Sequence, residues 1–170
     1  MTEMKKTGIF YGSTTGTTKE VALKIGKLLD IDEKDIHNVA DSKPSDVGAY
    51  DLLIFGSSTW GKGQLQKDWY DFIDGLEALY LKGKKVAIFG CGDETMDDTF
   101  CAAVGEIYRR LIPTECEFIA PYDGVGYEYK HTPAEVDGVI RGLILDEVNH
   151  PEATALRLRG WTDIVRAEME

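Results

Sequence analysis

The sequence has no long apolar run. None of its apolar stretches approaches the roughly 20 residues that a membrane-spanning helix needs, so an integral membrane protein is not indicated. Residues 1–6 lead directly into a short strand pattern and show neither the apolar core nor the small-residue cleavage site of a signal peptide. We therefore expect a cytoplasmic protein that does not associate with membranes.

Cysteine is scarce. The chain has three cysteines, Cys91, Cys101 and Cys116, an odd number without the C-x-x-C spacing or neighbouring histidines of a metal site. We expect free, partly buried thiols, with neither a disulfide framework nor a bound metal.

Basic residues are outnumbered. Thirty acidic and nineteen basic side chains give a formal net charge of -11. This charge repels nucleic acid and anionic membranes and favours basic surfaces on partner proteins. Nucleic-acid binding is therefore not expected.

The order of apolar patterns predicts an α/β fold. A length of 170 residues with 43% apolar content fits a single domain over residues 1–170. Short β-branched and aromatic runs alternate with segments of helical periodicity, which indicates a doubly wound sheet with helices on both faces. Strands are predicted at residues 8–11, 36–39, 51–55, 85–89 and 117–120, and helices after Thr17, Leu65 and Phe100.

The pattern changes near the end of the chain. Residues 121–138 are rich in aromatic, glycine and acidic residues, and an apolar run resumes at residues 139–145. We interpret residues 121–138, below called the inserted segment, as a surface insertion that interrupts the last strand. An amphipathic helix from about Ala153 to Glu168 is predicted to close one face.

The first loop to examine, residues 11–18, lies where ligands bind in such sheets, beyond the carboxyl end of a strand. It carries five hydroxyls and two glycines in the order Tyr11-Gly12-Ser13-Thr14-Thr15-Gly16-Thr17-Thr18. Backbone amides at a helix start and hydroxyl donors can surround a phosphate. Helix capping is the alternative, but five hydroxyls exceed what capping needs. The loop lacks the lysine of a triphosphate loop and the G-x-G-x-x-G of a dinucleotide site, which leaves a terminal phosphate held by neutral donors.

Two further loops follow strands at the same predicted edge. The second loop, residues 56–65, places Trp60 among glycines, where it can stack on a flat ligand or pack on its own domain. In the third loop, residues 90–98, glycines permit close backbone approach and Asp93 can accept a hydrogen bond from a ring N–H. The acidic residues of the third loop can equally cap a helix.

These three loops together resemble the flavodoxin family. Ser13-Thr14-Thr15-Gly16-Thr17-Thr18 is similar to its phosphate signature, and Thr59-Trp60-Gly61 and Gly90-Cys91-Gly92-Asp93 are similar to its two flavin loops. The resemblance covers nearly the whole chain. The order of later motifs, up to Arg157 and Trp161, resembles the long-chain subgroup, whose last strand is split by an insertion.

The resemblance implies a five-stranded parallel sheet of order 2-1-3-4-5 that binds one FMN without a covalent bond. It places the FMN phosphate on residues 13–18 and Trp60 over one flavin face, and it makes the Gly61–Lys62 peptide a candidate redox-linked switch. The predicted cofactor-binding residues are Ser13, Thr14, Thr15, Gly16, Thr17, Thr18, Ser58, Thr59, Trp60, Gly61, Lys62, Cys91, Gly92, Asp93 and Met96. No catalytic residue and no metal ligand are predicted.

This chain departs from the family pattern at two positions. Many long-chain relatives stack a tyrosine on the second flavin face a few residues beyond the Gly-Asp of the third loop, but residues 94–99 contain none. Met96 is the candidate apolar cover in its place. Lys62 puts a cation where some relatives carry an acid or an amide.

The resemblance implies a carrier of single electrons rather than an enzyme. The charge of -11 and a phosphate site without a cation disfavour further negative charge, so we expect a low-potential monomer that works between the flavin semiquinone and hydroquinone. Expected partners present basic surfaces, such as an NAD(P)H-flavodoxin reductase, a pyruvate-flavodoxin oxidoreductase or a nitrogenase reductase.

The same loops bear on three alternative classes of protein. A phosphorelay receiver needs acidic residues at the ends of its first and third strands, and a low-mass phosphatase needs a cysteine and an arginine in the first loop. The sequence has neither set. An FMN-dependent quinone reductase shares the phosphate-binding loop and stays open as the alternative function.

Overall fold

The computed structural model describes residues 5–170, apart from the side chain of Asp97. Residues 1–4, on which part of the expectation about a signal peptide depends, lie outside the described residues. The strands are β1 (Thr7–Gly12), β2 (Ile36–Asn38), β3 (Leu52–Trp60), β4 (Gln64–Leu65), β5 (Lys85–Cys91), β6 (Glu117–Phe118), β7 (Glu135–Val136), β8 (Val139–Ile140) and β9 (Leu143–Leu145). The helices are α1 (Thr17–Leu28), α2 (Trp69–Glu77), α3 (Ala102–Leu111) and α4 (Thr154–Glu168), with short 3-10 segments between them.

The central sheet has the strand order β2-β1-β3-β5-β6 and is parallel throughout this path. β9 also pairs with β5 in parallel, farther along it, with Phe89 opposite Leu143. β6 and β9 are thus the two halves of the last strand, and the chain between them carries the antiparallel β7–β8 hairpin. Counted across the sheet, this arrangement confirms the predicted order 2-1-3-4-5.

Side chains of the three central strands alternate between two apolar cores, because successive residues of a strand point to opposite faces. On β1, Phe10 faces the core that contains residues of α2 and α3, whereas Ile9 and Tyr11 face the core that contains residues of α1 and α4. β3 and β5 divide in the same way. Both faces of the sheet are therefore covered, which explains the continuous apolar runs of its strands.

β3 and the last strand differ most from their predicted bounds. β3 continues five residues beyond Phe55 because Gly56, Ser57 and Ser58 still pair across the sheet, and Thr59 and Trp60 pair with β4. The apolar run at residues 139–145 divides into β8 and β9. A Cβ atom on Gly142 would lie 2.1 Å from the Ile88 carbonyl oxygen, so this break brings two backbones closer than other residues allow.

No helix among the described residues is long and apolar enough to cross a membrane.

Candidate functional site

The first loop ends at a helix start without a side-chain cap. α1 begins at Thr17, and its N-cap residue Gly16 has φ of 95°, a left-handed conformation that glycine adopts without strain. The Gly16 amide donates to Ser13 Oγ at 3.0 Å. Because no side chain caps α1, the amides of its first turn and the positive end of its dipole remain available to an anion.

One hydroxyl in this loop has no nitrogen or oxygen partner in the part of the chain that the structure describes; its neighbour is the weakly hydrogen-bonding Cys91 thiol. Thr18 is 1% exposed, and its Oγ1 is the buried side-chain polar atom without a hydrogen bond among the described residues. Thr14 Oγ1 accepts a hydrogen bond from Gln66 Nε2 at 3.0 Å, which ties the first loop to the second. Buried polar groups in proteins are nearly always hydrogen-bonded, so the unpaired Thr18 hydroxyl fits a loop whose remaining partner is a ligand.

The second loop is a β-hairpin rather than an irregular glycine-rich loop. β3 and β4 pair through Thr59 and Trp60, and the turn between them uses positive φ at Gly61 (53°) and Gly63 (95°). The Trp60 indole is 40% exposed and donates from Nε1 to Ser58 Oγ at 2.6 Å. This hydrogen bond orients a large aromatic face beside the first and third loops.

The third loop is tied down by its own polar groups. Asp93 Oδ1 accepts from the Thr95 amide at 2.9 Å, from the Thr95 hydroxyl at 2.6 Å and from Asn149 Nδ2 at 2.8 Å. These bonds, the Thr95 hydroxyl first, lower the pKa of the Asp93 carboxyl. Asp93 is therefore an anion at neutral pH that both shapes the loop and faces the cleft described next.

The three loops enclose two adjoining clefts at the carboxyl edge of the sheet. The larger is about 220 Å³ and the smaller about 110 Å³; Trp60 and Asp93 line both. The larger cleft is lined by Thr15, Thr17, Ser58, Thr59, Trp60, Cys91, Gly92, Asp93, Glu147 and Val148. The smaller is lined by Thr59, Trp60, Gly61, Gly92, Asp93, Met96 and Thr99.

The structure thus brings most of the predicted cofactor-binding residues together. Met96, which is 53% exposed, lines the smaller cleft beside Trp60 and not the larger one. Five predicted residues line neither cleft. Four of these belong to the first loop and one to the hairpin turn: Ser13, Thr14, Gly16, Thr18 and Lys62.

Sequence reasoning missed Glu147 and Val148, which line the larger cleft. They belong to residues 146–150, below called the β9 loop, which follows the carboxyl end of the last strand half. Since parallel strands end at one edge, the rule that selected the other three loops also points to this one. Gln66, which holds Thr14, had no comparable signal.

The electrostatics of the clefts are negative. Their lining, within the described part of the chain, includes Asp93 and Glu147 but neither lysine nor arginine. Burial raises the pKa of the Cys91 thiol to about 12, so Cys91 presents a neutral group. A ligand in these clefts meets hydroxyls, an aromatic ring and carboxylates.

A network of hydrogen bonds joins the third loop to the β9 loop. Asp146 is fully buried; its Oδ1 accepts from the amides of Val148 and Asn149. Its Oδ2 accepts from the Glu94 amide at 3.1 Å and from Asn149 Nδ2 at 2.9 Å. Polar atoms of Glu94, Asp146 and His150 lie within 4.8 Å of one another. All four acceptor positions of Asp146 are in use. We therefore interpret Glu94, Asp146 and His150 as a hydrogen-bonded connection between the third loop and the β9 loop rather than as a cation site.

The inserted segment is fastened to α4 by a buried arginine. Arg157 is 7% exposed and donates to the carbonyl oxygens of Asp123 (2.5 Å), Val125 (3.2 Å) and Ile144 (3.3 Å). Its guanidinium carbon also lies 4.6 Å from the centroid of the Tyr127 ring. These contacts hold the inserted segment beside the β9 loop.

An open parallel sheet with helices on both faces defines the doubly wound α/β class, and its partly aromatic cleft beside an uncapped helix start lies at the carboxyl edge, where such folds bind ligands. The Flavodoxin family model matches residues 9–161. The flavodoxin of Haemophilus influenzae is 40% identical over 164 residues, 95% of this chain and 94% of that protein. Flavodoxin 1 of Salmonella typhimurium is 40% identical over 169 residues, 98% and 96% of the two chains.

A solved structure agrees with these sequence relatives. The crystal structure of Fusobacterium nucleatum flavodoxin bound to flavin mononucleotide superposes with a TM-score of 0.88 at 27% identity and covers 98% of this chain and 100% of that one. The chain belongs to the flavodoxin family.

Proposed function

We propose that this chain binds FMN without a covalent bond and carries single electrons between redox proteins. The observation that carries the proposal is the first loop, where Thr15 and Thr17 at an uncapped helix start line a cleft with an aromatic wall, and where the buried Thr18 hydroxyl has no nitrogen or oxygen partner among the described residues. The FMN-bound Fusobacterium relative supports the choice of cofactor.

The residues present fit FMN. The amides of the first turn of α1, with the hydroxyls of Ser13, Thr15, Thr17 and Thr18, would hold the phosphate. Trp60 would cover one face of the ring system, and the backbone of Gly92 and Asp93 would contact its edge. Bound FMN would supply the redox chemistry, while the protein supplies orientation and a negative surrounding field.

A low potential follows from the same charges. Asp93 and Glu147 line the larger cleft without a balancing lysine or arginine in its described lining. Each additional electron on a bound ligand would therefore be opposed by the protein, and a tenfold weaker binding of the reduced form is worth about 59 mV. We propose that the chain works between the one-electron-reduced and the two-electron-reduced cofactor.

The proposed setting is a single-domain monomer in the cytoplasm that docks on basic surfaces. The net charge of -11 favours partners such as an NAD(P)H-flavodoxin reductase, a pyruvate-flavodoxin oxidoreductase or a nitrogenase reductase, with association weakened by salt. Family membership supports a carrier over a quinone reductase, since flavodoxins are electron-transfer proteins rather than enzymes with substrates of their own.

Optical titration with a one-electron reductant tests this function. The protein, purified with FMN, should pass through a one-electron-reduced species that accumulates before full reduction. Direct two-electron reduction by NAD(P)H with turnover of added quinone would contradict the proposal and favour the reductase.

The phosphate role of the first loop predicts that Thr17→Val weakens FMN binding by about tenfold, because a hydrogen bond to a charged group is lost. Titration of the apoprotein with fluorescent FMN measures the change. Ser45→Ala, which removes an exposed hydroxyl from the 3-10 segment Pro44–Ala49, is the control and should bind like the unaltered chain. Equal affinity of the two variants would reduce Thr17 to a structural residue.

A further inference from the structure

The side chain of Glu94 joins three segments that are far apart in the sequence. Glu94 is 7% exposed and belongs to the third loop. Its Oε2 accepts from the Glu128 amide of the inserted segment at 2.6 Å, and its Oε1 lies 2.5 Å from His150 Nε2 in the β9 loop. The position of the third loop thus depends on a carboxylate and an imidazole that line neither cleft.

His150 is surrounded by acidic groups. Beside Glu94, its Nδ1 lies 3.3 Å from Glu152 Oε1 on the following 3-10 segment. Asp146 approaches from the same loop, and the Tyr127 ring lies 5.9 Å away, centroid to centroid. Arg157, whose guanidinium carbon lies 4.6 Å from the centroid of the Tyr127 ring, is a cation near this network.

We propose that Glu94 and His150 are positioning residues for the cofactor: their bridge holds the third loop in its binding-competent place, so that protonation of His150 tightens FMN binding. The proposal rests on the proposed function. Some ligands bind to only one position of a loop. The apparent affinity of such a ligand is proportional to the fraction of free molecules in which the loop already has that position. A charged imidazolium increases this fraction because it strengthens the hydrogen bond to the Glu94 carboxylate.

The direction of the pH effect follows from the charges. The hydrogen bond to Glu94, and to a lesser extent that to Glu152, raises the pKa of His150 above its ordinary value. The contribution of the bridge is therefore complete below the ordinary pKa of about 6.5 and is lost as the pH rises through the raised value. When FMN is bound and the third loop is in its binding position, His150 would hold its proton more tightly. The pKa of His150 should therefore be higher with FMN than without.

The test compares FMN dissociation constants of the chain and of His150→Gln between about pH 6 and pH 8.5. Affinity of the unaltered chain relative to His150→Gln should fall about three- to tenfold across this interval. The ratio cancels the titration of the FMN phosphate itself. Glu94→Gln should behave like His150→Gln. His131→Gln, the same change at an exposed position of the inserted segment, should follow the unaltered chain.

A second measurement needs no variant to fold. The ring protons of His150, followed by NMR in the free and FMN-bound chain, should give a higher pKa in the bound form. A pH-independent affinity ratio, or equal His150 pKa values in the two forms, would overturn the inference while leaving FMN binding intact. Absence of FMN binding at every pH would overturn the proposed function and the inference together.

Discussion

The first and third loops lie at the same edge of the sheet but are held in opposite ways. In the first loop, α1 starts without a side-chain cap, and the Thr18 hydroxyl has no nitrogen or oxygen partner among the residues that the structure describes. In the third loop, Asp93 accepts three hydrogen bonds, and the amide of Glu94 is bonded to buried Asp146. The first loop thus leaves some of its donors unused, whereas the third loop uses its polar groups internally.

Because of this difference, we expect the two loops to contribute differently to the binding of one ligand. Free donors add affinity only when a ligand arrives, and until then their burial costs stability. A loop whose donors and acceptors are satisfied adds little new bonding but lowers the ordering cost of binding. We therefore expect loss of a hydroxyl in the first loop to alter FMN affinity more than apoprotein stability, and loss of the buried acceptor behind the third loop to do the reverse.

The largest effect is expected from Asp146→Ala, which removes the acceptor behind the third loop. Three backbone amides lose their partner, and the Asn149 side chain loses one of its two acceptors, around a carboxylate that is itself fully buried. Each unsatisfied donor costs about 1–3 kcal/mol before relaxation, so the free energy of unfolding of the apoprotein should fall by about 3 kcal/mol. Urea unfolding followed by circular dichroism measures it.

Asp163→Ala is the matched control for this change. Asp163 is exposed and pairs with Arg166 alone among the described contacts, so its loss should cost under about 1 kcal/mol. Equal destabilisation by the two alanine variants would remove the distinction between an internally bonded third loop and an ordinary surface.

A smaller change in stability is expected from Thr18→Val, and any change should stabilise rather than destabilise the apoprotein. Valine keeps the shape of threonine but removes a buried hydroxyl that has no nitrogen or oxygen partner among the described residues. The apoprotein should be unchanged or stabilised by about 1 kcal/mol, whereas FMN affinity should fall about tenfold. Unfolding curves with and without FMN give both values. A destabilised apoprotein with normal affinity would show that the hydroxyl serves the fold.

The sequence predicted the sheet well because the sheet depends on local patterns, and local composition was also enough to select the first loop as a candidate phosphate site. A strand that is buried on both faces, such as residues 85–89, forms a continuous apolar run that can be recognised in the sequence. The loop from Ser13 to Thr18 can be recognised by its own composition. The split of the last strand at Gly142 was less readable, since it depends on a close approach to the backbone of Ile88, 54 residues earlier.

The supports of the third loop could not be read from the sequence. Glu94, Asp146 and His150 meet only after β5 and β9 pair, and each is unremarkable in its own segment. The contact of Glu128 with Glu94 further depends on how Arg157 docks the inserted segment. The residues proposed to bind the ligand follow a compositional rule, whereas the residues proposed to position them depend on long-range packing.

The smallest effect on FMN affinity is expected from Gly16→Ala in the first loop. Gly16 has φ of 95° with no atom within 4 Å of an added Cβ, so the methyl group meets strain but no clash. Left-handed backbone costs a residue with a side chain about 1–2 kcal/mol. Gly126→Ala in the inserted segment has the same properties, with φ of 97° and open space, and should lose similar apoprotein stability. Only Gly16→Ala should also weaken FMN binding, by about threefold, because any relief of strain moves the amides at the start of α1. Calorimetric titration with FMN compares the two. Equal affinities of the two variants would mean that FMN binding tolerates a displaced first loop. The proposed difference between a first loop that binds the ligand and a third loop that is held in position would then be wrong.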